Sequence, residues 1–342
     1  MKTIFYNEKR RIKLVSIAKY VSGRKVYAKE VAEKIGADES WVAEAVGVKE
    51  RYYVDPKETS ISQMAAEAAK IALQKAGMKP EDLDLIISTS GVLQQAIPCT
   101  AAFVQRHLGL ESVHTPCFDI NSTCLSFLTG LDTISTLIQS GRYKNVLVTS
   151  ADIASVGLNW NHKESAALFG DGAAAAIFTM SEEDEDSCIL SSAMETYSQG
   201  IEFCEIVGGG TRAHPREHLP EETIQNFLFE MHGPKVFRLA SKVLPQFIKS
   251  LLEAANLTLE DINLVVPHQA SKPAMDIVFR RRLGLEDDKI ASIVSEYGNC
   301  IAASLPMALA DSIEKKKIKR GDKALLIGVS AGVSIGGITL IY

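Results

Sequence analysis

Cys124 is the strongest candidate for a nucleophile in the sequence. It follows a strand-like segment, residues 117–120, and precedes an apolar pattern over residues 125–138 that is typical of a helix. A thiol in the first turn of a helix lies at the positive end of the helix dipole, which predicts a lowered pKa and a reactive thiolate. Position alone leaves a second interpretation open, because free cysteines are often small buried residues that fill a tight helix start.

His268 and Asn299 are the polar residues that could assist such a thiol. His268 lies in the segment VVPHQAS, directly after an apolar strand, and Asn299 lies in the segment EYGNC. Ligand sites in open α/β sheets gather at the loops that follow strands. A single His or Asn is more often a turn residue or a satisfied polar group. Their placement at corresponding loops of a duplicated sequence is what favours a functional role.

The duplication is visible as an internal repeat. Residues 73–87 match residues 252–266 at a constant offset of 179, and each copy predicts a helix, a turn and a buried strand. Farther along, the segment FDINSTC ending at Cys124 matches VSEYGNC ending at Cys300, at an offset of 176. This alignment makes Cys300 the positional equivalent of Cys124 in the second half.

The repeat predicts two α/β units, each built around a mostly buried sheet. An acidic run, residues 181–187, follows a strand-like segment and is typical of a solvated turn. We therefore expect an N-terminal half over residues 1–178 and a C-terminal half over residues 179–342. The first half carries the candidate nucleophile, and the second carries the His and the Asn.

Composition narrows the class of protein. The 342 residues are 46% hydrophobic and 23% charged, as in a folded globular chain, and the net charge of −5 disfavours nucleic acid as the main partner. Six single cysteines without CxxC pairs suit a reducing compartment, so we expect a cytoplasmic protein without a metal site. Residues 1–14 lack the apolar core of a signal peptide, and glycines interrupt the apolar stretch 324–342, so no membrane helix is expected.

Five motifs, in order, carry a resemblance to a known family. They are DINSTC with Cys124, LFGDGAAAA over residues 168–176, VPHQAS with His268, YGNCIAAS with Asn299, and GVSAGVSIGG over residues 328–337. Over essentially its full length the chain resembles β-ketoacyl-acyl-carrier-protein synthase III, a member of the thiolase-fold condensing enzymes. The resemblance implies an α/β thiolase-like fold whose duplicated halves form a five-layered α-β-α-β-α sandwich.

The resemblance also implies a mechanism. Cys124, His268 and Asn299 correspond to a catalytic triad, and the backbone N–H groups of Cys124 and Gly332 to an oxyanion hole. The implied reaction joins an acyl primer held on Cys124 to malonyl-acyl carrier protein with loss of CO₂. Acyl-coenzyme A or an acyl carrier protein would supply the primer, and no metal or organic redox cofactor is expected.

Three positions bear on the choice of primer. Trp41 matches a residue that stacks on the adenine of coenzyme A, but the arginine expected a few residues later is Ala45. Lys163 matches a second coenzyme-contacting basic residue. Ile97 stands near the acyl pocket where well-known bacterial members have Phe and non-decarboxylating relatives have Glu. These departures predict primers longer or more branched than acetyl, delivered by a carrier protein, and disfavour the non-decarboxylating reaction.

A basic cluster follows His268 and suggests a partner. Its members are Lys272, Arg280, Arg281 and Arg282. Such a cluster is often just a solvated face, but the resemblance implies that an acidic acyl carrier protein docks here. It also implies a homodimer, with neither nucleic acid nor a membrane as a partner.

Two rival functions share the same scaffold. In one, an acyltransferase or specialised-metabolite synthase passes the acyl group from Cys124 to another acceptor. In the other, the chain is a catalytically silent subunit that binds acyl carrier protein. The complete triad disfavours the silent subunit, whereas the first rival keeps the triad and changes the acceptor.

Overall fold

The computed structural model describes residues 5–217 and 219–342. The strands are β1 (Ile12–Tyr20), β2 (Arg24–Tyr27), β3 (Glu50–Tyr53), β4 (Leu85–Ser88), β5 (Cys117–Asp119), β6 (Val146–Asp152), β7 (Gly172–Met180), β8 (Cys188–Thr196), β9 (Cys204–Glu205), β10 (Glu230–Met231), β11 (Leu264–Pro267), β12 (Lys323–Ser330) and β13 (Ser334–Ile341). The α-helices are α1 (Ala28–Ile35), α2 (Ile61–Ala76), α3 (Thr100–His107), α4 (Ser126–Gln139), α5 (Lys163–Ala166), α6 (Pro220–Asn226), α7 (Gly233–Ala254), α8 (Lys272–Met275), α9 (Val294–Tyr297) and α10 (Ser304–Glu314). Single turns of 3₁₀-helix at Thr123–Leu125 and Ile301–Ala303 precede α4 and α10, and Trp41–Val46 and Asp276–Arg282 are π-helical.

Two sheets with the same strand order form the centre of the molecule. The first has the order β1-β7-β6-β4-β5, and the second has the order β8-β13-β12-β11. In the first sheet β4 is parallel to β5 and β6, and β7 is antiparallel to both of its neighbours. In the second sheet β11 is parallel to β12, and β13 is antiparallel to both of its neighbours. A single bridge between Val265 and Ile290 takes the place that β5 has in the first sheet.

Helices complete a five-layered sandwich. Helices α4 and α10 contact strands of both sheets and lie between them, α2 and α3 cover the outer face of the first sheet, and α7 covers the outer face of the second. The sequence fits this position, since residues 304–312 of α10 are all buried, as a helix packed on several sides requires. The predicted thiolase-like, five-layered architecture is confirmed.

The connection between the sheets is short. Strand β7 ends at Met180 and β8 begins at Cys188, so the acidic run is the link. The link begins two residues later than the division predicted after residue 178. Within the part of the chain that the structure describes, no helix has the length and apolar character needed to span a bilayer.

The turns before α4 and α10 repeat the same backbone. Thr123 has a φ of 52° and Ile301 a φ of 49°, both in the left-handed region. The side-chain oxygen of Asn121 accepts the N–H of Thr123 at 2.9 Å, and that of Asn299 accepts the N–H of Ile301 at 2.9 Å. The two turns therefore match at an offset of 178.

This match corrects the alignment made from the sequence. Cys124 is equivalent to Ala302, not to Cys300, and Asn299 has its own counterpart in Asn121. The sequence comparison slipped by two residues because it aligned the two cysteines, whereas the backbone repeat follows the left-handed residue and the Asn before it. Cys300 is fully buried and lies beside Gly172.

Candidate active site

Cys124 lies in the 3₁₀ turn before α4, where the middle layer meets the second sheet. Its side chain is partly buried. The next residue, Leu125, packs against Gly328 of β12, where an added Cβ would lie 2.8 Å from Leu125 and 3.1 Å from the Cβ of His268. The glycine thus lets the turn of Cys124 and the His268 loop approach the same point of the sheet.

The Cys124 thiol is neutral at rest. Burial is the main cause that raises its pKa to about 12, and the negative charge of Asp152 and the thiol of Cys204 raise it further. The backbone N–H groups of Ala331 and of Cys124 itself act in the opposite direction. The expectation of a lowered pKa was therefore wrong for the free protein, because removal of water outweighs the dipole of the helix start.

His268 follows β11 and is held by its backbone. Its N–H donates to Ile327 at 2.8 Å, and its side chain is 5% exposed. Burial lowers the pKa of His268 to about 4, so the ring is neutral at physiological pH. Its Nδ1 is buried without a hydrogen-bond partner among the described residues. A ring that carries its hydrogen on Nε2 leaves Nδ1 as a bare acceptor and offers one N–H donor to a ligand.

Asn299 has a fixed amide orientation. Its Oδ1 accepts from the N–H of Ile301 at 2.9 Å and from the hydroxyl of Ser304 at 3.3 Å. Its Nδ2 donates to the carbonyl of Ala270 at 3.4 Å. Because the oxygen is occupied, the NH₂ group is the part of the side chain that can donate to a ligand.

Chain neighbours bring the three candidates into one place. The carbonyl of Ala270 accepts the hydrogen bond from Asn299, and the N–H of Ala270 donates to the carbonyl of His268, two residues earlier. On the other side, a Cβ added to Gly91 would lie 2.5 Å from Ile301 and 3.5 Å from the carbonyl of Thr123. The turn of Cys124, the loop of His268 and the turn of Asn299 therefore converge, and their catalytic roles stay predictions.

The sequence predicts the N–H of Gly332 for the oxyanion hole, and that stays a prediction. In the structure the N–H of the preceding residue, Ala331, is one of the two backbone amides that lower the pKa of Cys124. The segment between β12 and β13 is rich in small residues, so the sequence did not fix which N–H faces the thiol. Gly332 has a φ of 126°, a conformation that favours glycine, and so shapes the turn that presents the amide of Ala331.

Asp152 is a residue of this site that the sequence analysis missed. It ends β6, is fully buried, and accepts hydrogen bonds from the N–H groups of Val92 at 2.7 Å, Ala302 at 3.0 Å and Ala303 at 3.2 Å. Burial raises the pKa of Asp152 to about 7, and these amides oppose that shift. The rule that singled out His268, a polar residue directly at the end of a buried strand, could also have found Asp152.

The residues predicted to contact coenzyme A lie around α1. Trp41 is half-buried in the π-helical turn and packs against the α1 cluster, whereas Ala45 is exposed. Lys163 donates to the carbonyl of Gly36, the residue that caps α1, at 3.0 Å. The basic residue is therefore tied to the same element as the tryptophan.

Ile97 is exposed in the single chain. Its side chain is 83% exposed on the segment 91–99, which we call the pocket loop. That Ile97 borders the acyl site stays a prediction. The half-buried start of the pocket loop, at Gly91 and Val92, is the part that contacts the Cys124 and Asn299 turns and Asp152.

Much of the basic cluster is engaged in contacts within the chain. Three of its four members have partners: Lys272 pairs with Asp276, Arg280 with Asp276 and Asp287, and Arg282 with the carbonyl of Ser241. Arg281 is exposed, and none of the described residues pairs with it. The cluster thus offers less free positive charge than its sequence suggests.

Comparisons with known proteins show which proteins the chain is similar to. The family model for 3-oxoacyl-[acyl-carrier-protein] synthase III matches residues 118–198, and the model for its C-terminal part matches residues 252–342. The model for the thiolase N-terminal domain matches residues 50–155. The matched ranges contain the three converging residues and Asp152.

Relatives of similar length are found among curated proteins and solved structures. The β-ketoacyl-[acyl-carrier-protein] synthase III of Clostridium perfringens is 33% identical over 95% of this chain and 97% of its own. That of Caldanaerobacter subterraneus is 35% identical over 89% of this chain and 90% of its own. The crystal structure of 3-oxoacyl-[acyl-carrier-protein] synthase III from Aquifex aeolicus has a TM-score of 0.86 at 30% identity, covering 97% of this chain and all of the other.

Proposed function

The chain belongs to the β-ketoacyl-acyl-carrier-protein synthase III family, and we propose that it condenses an acyl primer on Cys124 with malonyl-acyl carrier protein, releasing CO₂. It is an acyltransferase. The observation that carries the proposal is the convergence of a partly exposed thiol, two backbone amides that lower its pKa, a buried imidazole ring and the NH₂ group of Asn299. This set matches the needs of both half-reactions.

The first half-reaction loads the primer. The acyl thioester binds with its carbonyl oxygen toward the N–H groups of Cys124 and Ala331, which stabilise the negative charge of the tetrahedral intermediate. The sulfur of Cys124 attacks the carbonyl carbon, the donor's C–S bond breaks, and the thiol proton leaves with the donor thiol. Because the resting thiol is neutral, the proton departs as the new bond forms.

The second half-reaction makes the carbon–carbon bond. The malonyl thioester binds with its carbonyl oxygen toward His268 Nε2 and Asn299 Nδ2. When CO₂ leaves, the electron pair of the broken C–C bond forms an enolate whose oxygen accepts both hydrogen bonds. The enolate carbon attacks the acyl group, the bond to Cys124 breaks, and the released thiolate takes a proton from water. The product is a β-ketoacyl thioester.

The chemistry of this reaction sets its cofactor needs. The electrons for the new bond come from the bond to the departing carboxyl group, so no redox carrier enters the balance. We propose that the enzyme works without a metal or an organic cofactor. The acyl and malonyl thioesters are substrates.

We also propose an acyl carrier protein as the partner and a homodimer as the working assembly. The exposed guanidinium of Arg281, in the cluster that follows the His268 loop, supports docking of an acidic protein. Strand β5 lies at the edge of the first sheet and carries the partly exposed Phe118, which supports pairing with a second copy. The unpaired cysteines support a cytoplasmic location.

Separate measurement of the two half-reactions tests the function. The protein is mixed with butyryl-acyl carrier protein, and peptide mass spectrometry is expected to find the acyl mass on Cys124. Addition of malonyl-acyl carrier protein is expected to release CO₂ and a β-ketoacyl product. Acylation without CO₂ release would indicate the rival acyltransferase, and no acyl mass at all would indicate a silent subunit.

A further inference from the structure

Asp152 occupies an unusual position for a charged residue. It is fully buried, and none of the residues that the structure describes forms an ion pair with it, since its hydrogen-bond partners are backbone amides. Buried carboxylates are costly unless hydrogen bonds satisfy them. The site is therefore built for this carboxylate, with one oxygen facing Val92 and the other facing Ala302 and Ala303.

The carboxylate links segments that are far apart in the sequence. Val92 belongs to the pocket loop, whereas Ala302 and Ala303 form the turn that also positions Asn299. A Cβ added to Gly91 would lie 3.5 Å from Oδ1 of Asp152 and also 3.5 Å from the carbonyl oxygen of Thr123. Asn121, in the turn of Cys124, also contacts the start of the pocket loop. Its side-chain NH₂ group donates to the carbonyl oxygens of Ser90 and Gly91, both at 3.3 Å.

The charge of Asp152 acts on the nucleophile. Besides burial, the titratable groups that raise the pKa of Cys124 most are Asp152 and Cys204. Asp171 is a useful contrast, because it is also a fully buried carboxylate that accepts from backbone amides, those of Val54 and Ser155. Asp171 raises the pKa of Cys300 but is not among the groups that raise the pKa of Cys124.

We propose that Asp152 is a positioning residue that fixes the pocket loop against the Asn299 turn and, when ionised, places a negative charge beside Cys124. The proposal rests on the proposed function for its meaning, since it concerns the same thiol and the same pocket. The charge suppresses the thiolate in the free enzyme, so the sulfur is protected from small electrophiles until an acyl thioester engages the amides of Cys124 and Ala331.

Alkylation of the free protein tests the charge without any need for condensation. Wild type, Asp152→Asn, Asp152→Glu and the control Asp171→Asn are treated with iodoacetamide from pH 7 to pH 10, and peptide mass spectrometry gives the rate at Cys124. Circular dichroism confirms that each variant is folded. The KM of the acyl thioester in the loading step is measured alongside.

Removal of the charge should lower the pKa of Cys124 and so raise the thiolate fraction. One pKa unit changes that fraction tenfold, so we expect Asp152→Asn to speed alkylation at pH 9 roughly threefold to tenfold. Asp152→Glu keeps the charge but moves the carboxylate away from its backbone amide partners. Alkylation should therefore stay within about twofold of wild type, while the KM of the acyl thioester rises at least about fivefold. Asp171→Asn should change neither quantity at Cys124.

Two results would overturn the proposal. One is equal acceleration of alkylation by Asp152→Asn and Asp152→Glu, which would show that loosened packing rather than charge is responsible. The other is an unchanged KM in Asp152→Glu, which would show that the carboxylate does not fix the pocket loop. The second measurement decides the positioning role even if Asp152→Asn does not fold. An enzyme that alkylates as expected but never condenses would refute the proposed function and leave the charge effect intact.

Discussion

The turn that carries Cys124 and the turn that carries Ala302 have the same backbone conformation, but their backbone amides contact different groups. Each begins with an Asn that accepts the N–H of a left-handed residue two positions later, and each leads into a helix of the middle layer. In the second turn, the amides of Ala302 and Ala303 bind the carboxylate of Asp152. In the first turn, the amide of Cys124 faces its own sulfur.

The difference shows how duplication can separate structure from chemistry. The amides of such a turn bind an anion, as the carboxylate on the Ala302 turn demonstrates. Where a protein carboxylate fills them, the turn is a structural junction. Where a thiol stands beside them, the same amides are available to a transient oxyanion. The two Asn residues also differ in their exposure to solvent, since Asn121 is exposed and Asn299 is 5% exposed.

The largest expected effect separates the two cysteines that the sequence paired. Cys124→Ala should abolish acyl loading, because covalent catalysis needs the thiol beside the amides. Cys300→Ala should retain loading within about threefold, since Cys300 is equivalent to Ser122 rather than to the nucleophile. Mass spectrometry of the acylated protein measures both. Comparable loss in two folded variants would contradict the match of the turns.

The next effect concerns the two Asn residues. Asn299→Ala should slow malonyl decarboxylation by about 10²–10³-fold, the typical cost of one donor to a developing oxyanion, with a much smaller effect on acylation. His268→Ala should behave similarly. Asn121→Ala is the control, because its amide donates to the pocket loop, and should slow decarboxylation less than tenfold. Release of CO₂ from malonyl-acyl carrier protein, measured apart from acylation, tests the roles. A larger loss in acylation than in decarboxylation for Asn299→Ala would contradict them.

A third effect uses pH to compare His268 with Thr89, the residue that follows β4 as His268 follows β11. Thr89 donates to the carbonyl of Thr149 and does not titrate in this range. Burial lowers the pKa of His268 to about 4 from 6.5. Between these values the unfolded chain binds a proton that the folded chain does not, so stability falls as pH drops from about 6.5 to about 4. The free energy of unfolding falls by at most about 3 kcal/mol over this pH range.

Urea unfolding of wild type and His268→Gln at pH 7.5 and pH 4.5 measures this contribution. The buried carboxyls Asp152 and Asp171, whose pKa values burial raises, shift stability with pH in the opposite direction and equally in both proteins. The variant should therefore lose less stability on acidification than wild type. An identical loss would mean that His268 is not buried as a neutral ring.

The sequence could predict two similar α/β halves, with Cys124, His268 and Asn299 in corresponding loops, because apolar runs and the offset of 179 mark strands and the loops that follow them. The five layers were implied by the family resemblance. Three features were beyond its reach for physical reasons. The register of the turns depends on a left-handed φ at Thr123 and Ile301, which the residue types do not reveal. The raised pKa of Cys124 depends on burial by distant segments. The role of Asp152 depends on backbone amides, which every residue except proline carries.

The smallest expected effect tests a segment in which the halves differ. Between the first strand and the long outer helix, the first half has α1 and the π-helical turn with Trp41, whereas the second half has β9, β10 and α6. An arginine at the exposed position of Ala45 would place a cation one π-helical turn from the ring of Trp41. A cation stacked on an aromatic or adenine ring contributes about 0.5–2 kcal/mol.

Ala45→Arg should therefore raise the rate of Cys124 acylation by butyryl-coenzyme A about 2- to 30-fold and leave that by butyryl-acyl carrier protein within about twofold. Glu44→Arg adds positive charge at an exposed neighbour that does not share the ring's side of the turn, so it should reproduce little of the gain. If both variants favour the coenzyme equally, general charge attraction is responsible, and the first-half insertion does not form an adenine site.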